Sequence, residues 1–293
     1  MKFGLIGHPI AHSLSPALFK AGYDGRYPYE LIETSDFEEA YERFLKDYDG
    51  INVTAPFKEQ AFAKADILSE ECMLVGAANL LVKTPEGIKA FNSDFLGVRM
   101  WLQEVSLRSS EGATSKRTPP PAARGVARFS PVAPSEDRKA RVLTVGTGGA
   151  GKAAAAAALS LGMDVTLMNR NREKAERLAE DFGRKGYHTD VKDMSSFRDC
   201  FRKADIIIYN IPAAIPQLDG LTDDDFAPGR AKYILEANYR DPSFSPGFIS
   251  RMKEANPHAE YTGGRTWLLY QAVTGYGIFT GETPDLGKMS DVL

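Results

Sequence analysis

A glycine-rich turn in the middle of the chain places the strongest constraint on its fold. Residues 141–146, RVLTVG, are apolar enough for a buried strand, and the turn 146–151 follows at once and opens an alanine-rich helix that ends near Gly162. Glycines permit such a tight turn and let a pyrophosphate approach the N–H groups at the helix N-terminus. The pattern predicts a Rossmann-type dinucleotide-binding domain, although a turn needed only for packing is the alternative. The positions predicted to bind the cofactor are Gly146, Gly148, Gly149 and Ala150.

The residues after the next strand indicate which dinucleotide binds. NAD sites place an Asp or Glu here to bind the ribose hydroxyls, but this strand ends in Asn169 and Arg170. Asn169 can bond to the ribose, and Arg170 can bind a 2′-phosphate. Arg172 is a second candidate, and arginines that merely lie in solvent at a helix start are the alternative. The sequence therefore predicts NADP rather than NAD.

Composition excludes several classes of protein. The chain has 293 residues, of which 43% are hydrophobic, and a net charge of −3, so it has no bulk attraction for nucleic acid or anionic membrane. No apolar run approaches the ~20 residues of a membrane span, and the N-terminus does not resemble a signal peptide. Cys72 and Cys200 lie far apart and match no metal or redox spacing. We expect a soluble, cytoplasmic protein without a metal, present as a monomer or homodimer.

Strands and helices alternate on both sides of a segment that lacks any hydrophobic period. This pattern predicts two α/β domains with parallel sheets: an N-terminal substrate-binding domain at 1–105 and a Rossmann NADP-binding domain at 139–262. The segment 106–138 contains TPPPAARG and several basic residues. It is predicted to be a flexible insertion or linker, with a nucleic-acid-binding or partner-binding arm as the alternative. Residues 263–293 are predicted to form a C-terminal helix that packs on the substrate domain.

The N-terminal half contains polar residues at strand ends and helix starts. The stretch INVTAPFK ends in Lys58, which follows a β-branched strand and a turn at Pro56. A lysine placed there is suited to proton transfer, because burial can lower its pKa, although most lysines are solvated surface residues. Other hydroxyl, amide and carboxylate side chains suit a small polyhydroxylated substrate, and each is alternatively a cap or a turn residue. They are Ser13, Ser15, Thr54, Asn79, Asn92 and Asp94.

Local sequence also predicts where some elements begin. Ser15 precedes Pro16, which predicts Ser15 as the N-cap of a helix. Ser35 and Glu38 have the spacing of a capping box. Residues 79–91 are interrupted by Pro-Glu-Gly, and this predicts a hairpin.

Five motifs in order resemble the shikimate dehydrogenase family. They are GHPIAHSLSP, NVTAPFK, GAANLL, NSDFLG and GTGGAGKA, and the resemblance covers nearly the whole chain except the segment 106–138. Members of this family reduce 3-dehydroshikimate to shikimate with NADPH, a step on the route to chorismate and the aromatic amino acids. The resemblance therefore implies an NADP-dependent oxidoreductase.

The resemblance also implies roles for individual residues. Lys58 and Asp94 match the catalytic pair, in which protonated Lys58 donates a proton to the ring oxygen and Asp94 orients it. Ser13 and Ser15 match the serines that hold the substrate carboxylate. Gly264 lies in a C-terminal motif that belongs to the cofactor site. The full set of implied substrate-binding residues is Ser13, Ser15, Thr54, Asn79, Asp94, Tyr239 and Gln271.

Two segments depart from the family pattern. Near the nicotinamide the family has NATSxG, whereas residues 209–214 of this chain are YNIPAA. In the C-terminal motif the family has G-x-G-M-L, and here Trp267 replaces the methionine. Trp267 either lines the nicotinamide pocket or belongs to the core. Two other functions stay open: a quinate/shikimate dehydrogenase that uses NAD, and a sensor that binds shikimate-like ligands without turnover.

Overall fold

The computed structural model describes residues 1–111 and 139–293, without the side chains of 108–111. The described chain divides into two compact units. Unit 1 contains residues 1–97 and 269–293, and unit 2 contains the rest. Most of the predicted insertion at 106–138 lies outside the described residues, but its first six residues belong to a helix that begins at Ser93.

Unit 1 is built on a six-stranded sheet. Its strands are β1 (Phe3–Gly7), β2 (Tyr29–Glu33), β3 (Gly50–Val53), β4 (Ile67–Leu68), β5 (Leu80–Thr84) and β6 (Gly87–Phe91). The helices in this part of the chain are α1 (Ser15–Gly22), α2 (Phe37–Asp47), α3 (Lys58–Ala63), α4 (Glu70–Val75) and α5 (Ser93–Glu111).

The sheet of unit 1 is mixed rather than parallel, so this part of the prediction is wrong. Its order is β2-β1-β3-β5-β6-β4, and β5 pairs antiparallel with both β3 and β6. The physical reason is the β5–β6 hairpin, which was itself predicted: a connection of two residues can only reverse the chain. The first three strands remain parallel, so their carboxyl ends lie at one edge.

Two predicted helix caps are wrong. Helix α2 is capped by Asp36, whose Oδ1 accepts from the backbone N–H of Glu38 at 2.9 Å and of Glu39 at 3.3 Å. An aspartate can accept both bonds and adds negative charge at the positive helix end, which a Ser35 cap would not. Helix α1 begins at Ser15 itself, which follows Leu14 in the cap position.

Unit 2 has the predicted Rossmann-type sheet. Its strands are β7 (Arg141–Val145), β8 (Asp164–Met168), β9 (Thr189–Lys192), β10 (Ile206–Tyr209), β11 (Lys232–Glu236) and β12 (Ala259–Thr262). The sheet order is β12-β11-β10-β7-β8-β9, and every pairing is parallel. This confirms the predicted fold class. The remaining helices are α6 (Gly149–Ser160), α7 (Arg172–Arg184), α8 (Phe197–Lys203), α9 (Pro246–Ala255), α10 (Gly264–Thr280) and α11 (Leu286–Asp291).

The helix after the glycine turn packs directly on this sheet. All six alanines of the run 153–158 in α6 are fully buried. Short side chains let the helix axis approach the strands closely. The turn before the helix follows Val145 directly, so it lies at the carboxyl edge of β7. That edge is where nucleotides bind in open α/β sheets.

The C-terminal segment returns to unit 1, as predicted. From Leu269 onward the chain belongs to that unit. A Cβ on Gly50 of β3 would lie 2.6 Å from the ring of Phe279, so glycine is required for α10 to pack on the sheet. Phe279 also stacks on Phe3 of β1, with ring centroids 4.9 Å apart.

None of the described helices is long and apolar enough to cross a membrane.

Candidate active site

Lys58 and Asp94 form an ion pair in unit 1. Lys58 is the first residue of α3, and Asp94 is the second residue of α5. Lys58 Nζ donates a hydrogen bond to Asp94 Oδ2 at 2.5 Å, and the two side chains are 21% and 10% exposed. The two residues that the resemblance pairs, 36 positions apart in the sequence, are therefore in contact and still reachable from solvent.

Two buried asparagines fix the start of α5. Asn92 Oδ1 accepts from the N–H of Phe95 at 3.0 Å, and its Nδ2 donates to the carbonyl of Ala77 at 2.9 Å. Asn79 Oδ1 accepts from the N–H of Ser93 at 2.7 Å. Asn92 is therefore a helix cap. Asn79, directly before β5, connects the start of that strand to the first turn of α5, which contains Asp94. A carboxylate in the first turn of α5 is also favoured by the helix dipole.

The two candidate serines lie side by side at the start of α1. Ser13 Oγ donates to Ser15 Oγ at 3.1 Å and accepts from the backbone N–H of Ser15 at 3.2 Å. Both residues are half-buried. Thr54, also half-buried, follows β3, and its N–H donates to the carbonyl of Ile6 at 2.9 Å. Hydroxyl groups therefore follow two adjacent parallel strands at the same edge of the sheet.

Gln271 is brought to this region by a close helix contact. A Cβ on Gly97 of α5 would lie 2.7 Å from the backbone nitrogen of Gln271 on α10. Only glycine permits this approach, three residues beyond Asp94. The two helices that bear Gln271 and Asp94 are therefore in direct backbone contact.

The strand that precedes Lys58 contributes a residue that the sequence interpretation missed. Asn52 lies between Ile51 and Val53, and its Nδ2 donates to the carbonyl of Asn79 at 3.3 Å. The available signal was a lone polar side chain in an otherwise apolar strand.

The glycine turn of unit 2 has the shape of an anion site. Gly146 has a φ of +93°, and a Cβ on Gly151 would lie 1.9 Å from the carbonyl oxygen of Gly146, so both positions require glycine. Gly148 and Gly149, in contrast, face open space. The turn therefore leaves room in front of the first N–H groups of α6, where a pyrophosphate fits.

Polar atoms beside this turn lack partners. Within the described residues, Thr147 Oγ1 and Asn210 Oδ1 are buried without a hydrogen bond. Buried polar atoms are almost always bonded, so these two are available to a ligand. Asn210 lies in the segment that departs from the family pattern, and its backbone carbonyl is about 3.3 Å from where a Cβ on Gly146 would be.

The two arginines after β8 differ in their surroundings. Arg172 donates to Glu176 at 2.7 Å and also to Asp193, and these carboxylates raise the pKa of its guanidinium. Arg170 is exposed, and its side chain makes no ion pair with the described residues. Asn169 Oδ1 accepts from the N–H of Thr147 at 3.4 Å, which places it at the glycine turn. Arg170 is thus the available cation of the two.

The segment that contains Tyr239 and the start of α10 lies at the same edge of unit 2. A Cβ on Gly264 would lie 2.5 Å from the carbonyl of Ala237. The buried Glu236 accepts from the N–H of Ser243 and from the hydroxyl of Tyr261, each at 2.6 Å. Tyr239 is half-buried in the loop that these contacts hold.

Trp267 is only 5% exposed, so it is a buried residue.

Comparisons with known proteins agree with this arrangement. Residues 5–81 match the model of the shikimate dehydrogenase substrate binding domain, and residues 132–217 match that of the alanine dehydrogenase/PNT C-terminal domain. The shikimate dehydrogenase (NADP(+)) of Methanothermobacter thermautotrophicus is 29% identical over 99% of this chain and 94% of its own length.

Solved structures match over the whole length as well. The shikimate dehydrogenase of Mycobacterium tuberculosis is similar with a TM-score of 0.73 and 29% identity, over 99% of this chain and 97% of that one. A quinate dehydrogenase from Corynebacterium glutamicum in complex with NAD has a TM-score of 0.77 over 100% of this chain and 98% of that one. Its sequence identity is 22%, so it is similar in fold alone. The two units, their order in the chain and the ordered motifs are thus similar to those of shikimate dehydrogenases over the whole length of the chain.

Proposed function

We propose that this protein catalyses the reversible, NADPH-dependent reduction of 3-dehydroshikimate to shikimate, a step towards chorismate and the aromatic amino acids. The observation that supports this most directly is the Lys58–Asp94 pair, with Nζ and Oδ2 2.5 Å apart in a unit similar to the substrate-binding domain of shikimate dehydrogenases. A cation beside a carboxylate, next to hydroxyl and amide groups, suits a small polyhydroxylated acid. The curated relatives named as NADP(+) enzymes support the same reaction.

Unit 1 is proposed to bind the substrate. Ser13 and Ser15 hold its carboxylate with their hydroxyl groups, which lie 3.1 Å apart at the start of α1. The other proposed substrate contacts are side chains that bond to the ring hydroxyls or lie near the carboxylate. In unit 1 they are Thr54, Asn79, Asp94 and Gln271, and unit 2 is proposed to contribute Tyr239.

Lys58 is proposed to be the general acid. When bound, the nicotinamide of NADPH would supply the hydride that reduces the ring ketone. As negative charge grows on the ketone oxygen, the ammonium of Lys58 stabilises it and gives it a proton. Asp94 holds Lys58 in place and accepts from a neighbouring ring hydroxyl. In the reverse direction, the Lys58 amine takes the proton from the hydroxyl of shikimate.

Unit 2 is proposed to bind NADP. Open space at Gly148 and Gly149 suits the pyrophosphate, and Asn169 suits the ribose. The exposed Arg170 suits the 2′-phosphate, because a guanidinium forms two parallel bonds with it. The remaining proposed contacts are Gly146, Ala150 and Gly264.

We also propose the wider setting of the protein. A cytoplasmic location is supported by its two cysteines, Cys72 and Cys200, which are both free thiols. The proposed domains are a substrate-binding domain at 1–105, a linker at 106–138, a NADP-binding domain at 139–262 and a C-terminal helix at 263–293. The protein acts as a monomer or homodimer on small molecules.

Initial rates with shikimate and quinate, each with NADP⁺ and with NAD⁺, test this proposal. We expect the highest kcat/KM for shikimate with NADP⁺. Faster turnover of quinate with NAD⁺ would favour the quinate/shikimate alternative. Binding of NADPH and shikimate without any turnover would favour a sensor.

A further inference from the structure

The hydroxyl of Tyr276 joins α10 to the start of α1 within unit 1. Tyr276 Oη donates to the backbone carbonyl of Ser15 at 3.1 Å. Tyr276 is only 2% exposed, and its ring lies edge-on to that of Phe19 in α1, with centroids 4.8 Å apart. The ring therefore packs α10 on α1, and the hydroxyl adds a bond to the first residue of α1, which is a proposed contact of the substrate carboxylate.

The hydrogen of this hydroxyl is committed to the Ser15 carbonyl. A phenol has one hydrogen, and a carbonyl oxygen can only accept, so the direction of the bond is unambiguous. The bond involves the backbone of Ser15 and not its side chain. The hydrogen of the Ser15 hydroxyl therefore remains available to a bound carboxylate.

The same part of α10 lies against the first turns of α5. A Cβ on Gly275 would lie 3.3 Å from the Cβ of Ser93, which directly precedes Asp94 in α5. One turn earlier in α10, the backbone nitrogen of Gln271 would lie 2.7 Å from a Cβ on Gly97. Gln271 and Gly275 are four residues apart and so lie on one face of α10. Two close contacts thus fix α10 along the helix that contains Asp94.

Helix α10 therefore connects the two ends of the proposed substrate site in unit 1. Tyr276 directly follows Gly275, so a single turn of α10 contacts both the start of α1 and the start of α5. Ser15 is proposed to bind the substrate carboxylate, and Asp94 a ring hydroxyl. The carboxylate and the hydroxyl are attached to one small ring at a nearly fixed separation. Binding both at once requires Ser15 and Asp94 to be held at a matching distance.

We propose that Tyr276 is a positioning residue for the substrate carboxylate: its hydroxyl holds the backbone of Ser15 at the distance from Asp94 that the substrate ring requires. This inference rests on the proposed function. Without the bond, Ser15 can move relative to α10 and must be ordered when the substrate binds. Ordering it weakens binding by roughly 3- to 10-fold.

Tyr276→Phe tests the proposal, because it removes the hydroxyl and keeps the ring in its buried position. We expect KM for shikimate to rise about 3- to 10-fold with kcat within about twofold of wild type, since the lost bond favours the ground state and the transition state equally. KM for NADP⁺ should stay unchanged. An unchanged KM for shikimate, or a fall in kcat alone, would overturn the proposal.

Tyr23→Phe is the matched control, because it removes another buried hydroxyl between α1 and α10. The hydroxyl of Tyr23 donates to the carbonyl of Tyr276 at 2.8 Å and lies 2.8 Å from Thr280 Oγ1. Tyr23 follows the last residue of α1, at the opposite end from Ser15. This variant should leave KM for shikimate within about twofold of wild type. An equal rise in KM in both variants would show that general packing of α1 on α10 causes the effect, and the proposal would be wrong.

A double variant separates positioning from other effects. In a Ser15→Ala background, Tyr276→Phe should change KM by less than about twofold, because the side chain that it positions is gone. If the full effect of Tyr276→Phe persists there, Tyr276 acts elsewhere and the inference is wrong.

Failure of the proposed function gives a different result. If the wild-type protein binds shikimate without turnover, the proposed reaction is wrong, and Kd for shikimate from calorimetry replaces KM in the same comparison of variants. A wild-type protein that does not bind shikimate would overturn both the proposed function and this inference.

Discussion

At the scale of single residues, two arginines with similar sequence positions differ in what they can bind. Arg172 is held by Glu176 and Asp193, whereas Arg170 is exposed and makes no ion pair with the described residues. The sequence suggested both as candidates for the 2′-phosphate. The distinction depends on Asp193, which is 21 positions from Arg172 in the chain and could not be assigned to it from the sequence.

Arg170→Ala should therefore change the preference for NADP⁺. We expect KM for NADP⁺ to rise roughly 10- to 100-fold, because a charge-assisted bond to phosphate is worth about 1.5–3 kcal/mol, while KM for NAD⁺ stays unchanged. Initial rates with both cofactors measure this. Arg172→Ala is the control. If KM for NADP⁺ rises more in Arg172→Ala than in Arg170→Ala, Arg172 binds the 2′-phosphate instead.

At the scale of elements, the strand–turn–helix that begins at β7 could be predicted almost completely from its sequence. The apolar strand, the glycines and the alanine run specify its conformation locally. Caps were less predictable: Asp36 caps α2 in place of Ser35, because neighbouring polar residues compete for the same N–H groups. The short strands β9 and β12 have no apolar run in their sequences, TDVK and AEYT. They form by hydrogen bonding to the unpaired edges of β8 and β11, which the local sequence does not predict.

Gly149→Ala tests the proposed pyrophosphate site on α6. A Cβ at Gly149 meets nothing within 4 Å, so the fold should keep its stability, but the methyl group enters the space proposed for the pyrophosphate. We expect Kd for NADP⁺ to rise at least about tenfold, which corresponds to ~1.4 kcal/mol, with an unchanged melting temperature. Calorimetric titration and thermal unfolding measure the two.

Gly183→Ala in α7 is the matched control, because its Cβ also meets nothing within 4 Å. It should leave NADP⁺ binding unchanged. Equal binding by Gly149→Ala and the wild type would place the pyrophosphate elsewhere.

The start of β11 contains a buried lysine whose charge affects the stability of unit 2. Lys232 is fully buried and donates to the carbonyls of Phe201 and Ala204 at 2.6 and 2.8 Å. Burial lowers its pKa from 10.5 to about 7. The unfolded chain therefore binds more protons between these values, so the free energy of unfolding rises with pH across that window and is flat below it.

Lys232→Met should remove this dependence. Between pH 7 and pH 9.5 the free energy of unfolding of the wild type should rise by roughly 3 kcal/mol relative to the variant, at 1.36 kcal/mol per pH unit. Denaturant titrations at both pH values measure the difference. Lys203→Met, at a lysine whose side chain is 62% exposed, should show no such change. If the free energies of unfolding of wild type and Lys232→Met differ by the same amount at both pH values, the pKa of Lys232 is not lowered by burial.

At the scale of the whole molecule, alternating strands and helices predicted two α/β units, and the structure has two. The parallel sheet of unit 2 followed from that alternation, while the mixed sheet of unit 1 depends on one hairpin. The contact of Gln271 with Gly97 joins residues 174 positions apart and could not be derived from spacing. The same holds for the bond of Tyr29 to Asn52, which crosses a strand of the sheet.

Unit 1 is expected to perform its chemistry through Lys58, held in place by Asp94. The most direct test is kcat for 3-dehydroshikimate reduction by NADPH in Lys58→Ala, with Lys64→Ala as the control because Lys64 forms an exposed pair with Glu38. Loss of a general acid predicts a fall in kcat of about 10²- to 10⁴-fold in Lys58→Ala, with NADPH binding retained and the control unchanged. A kcat for Lys58→Ala within about twofold of wild type would show that Lys58 is not the general acid.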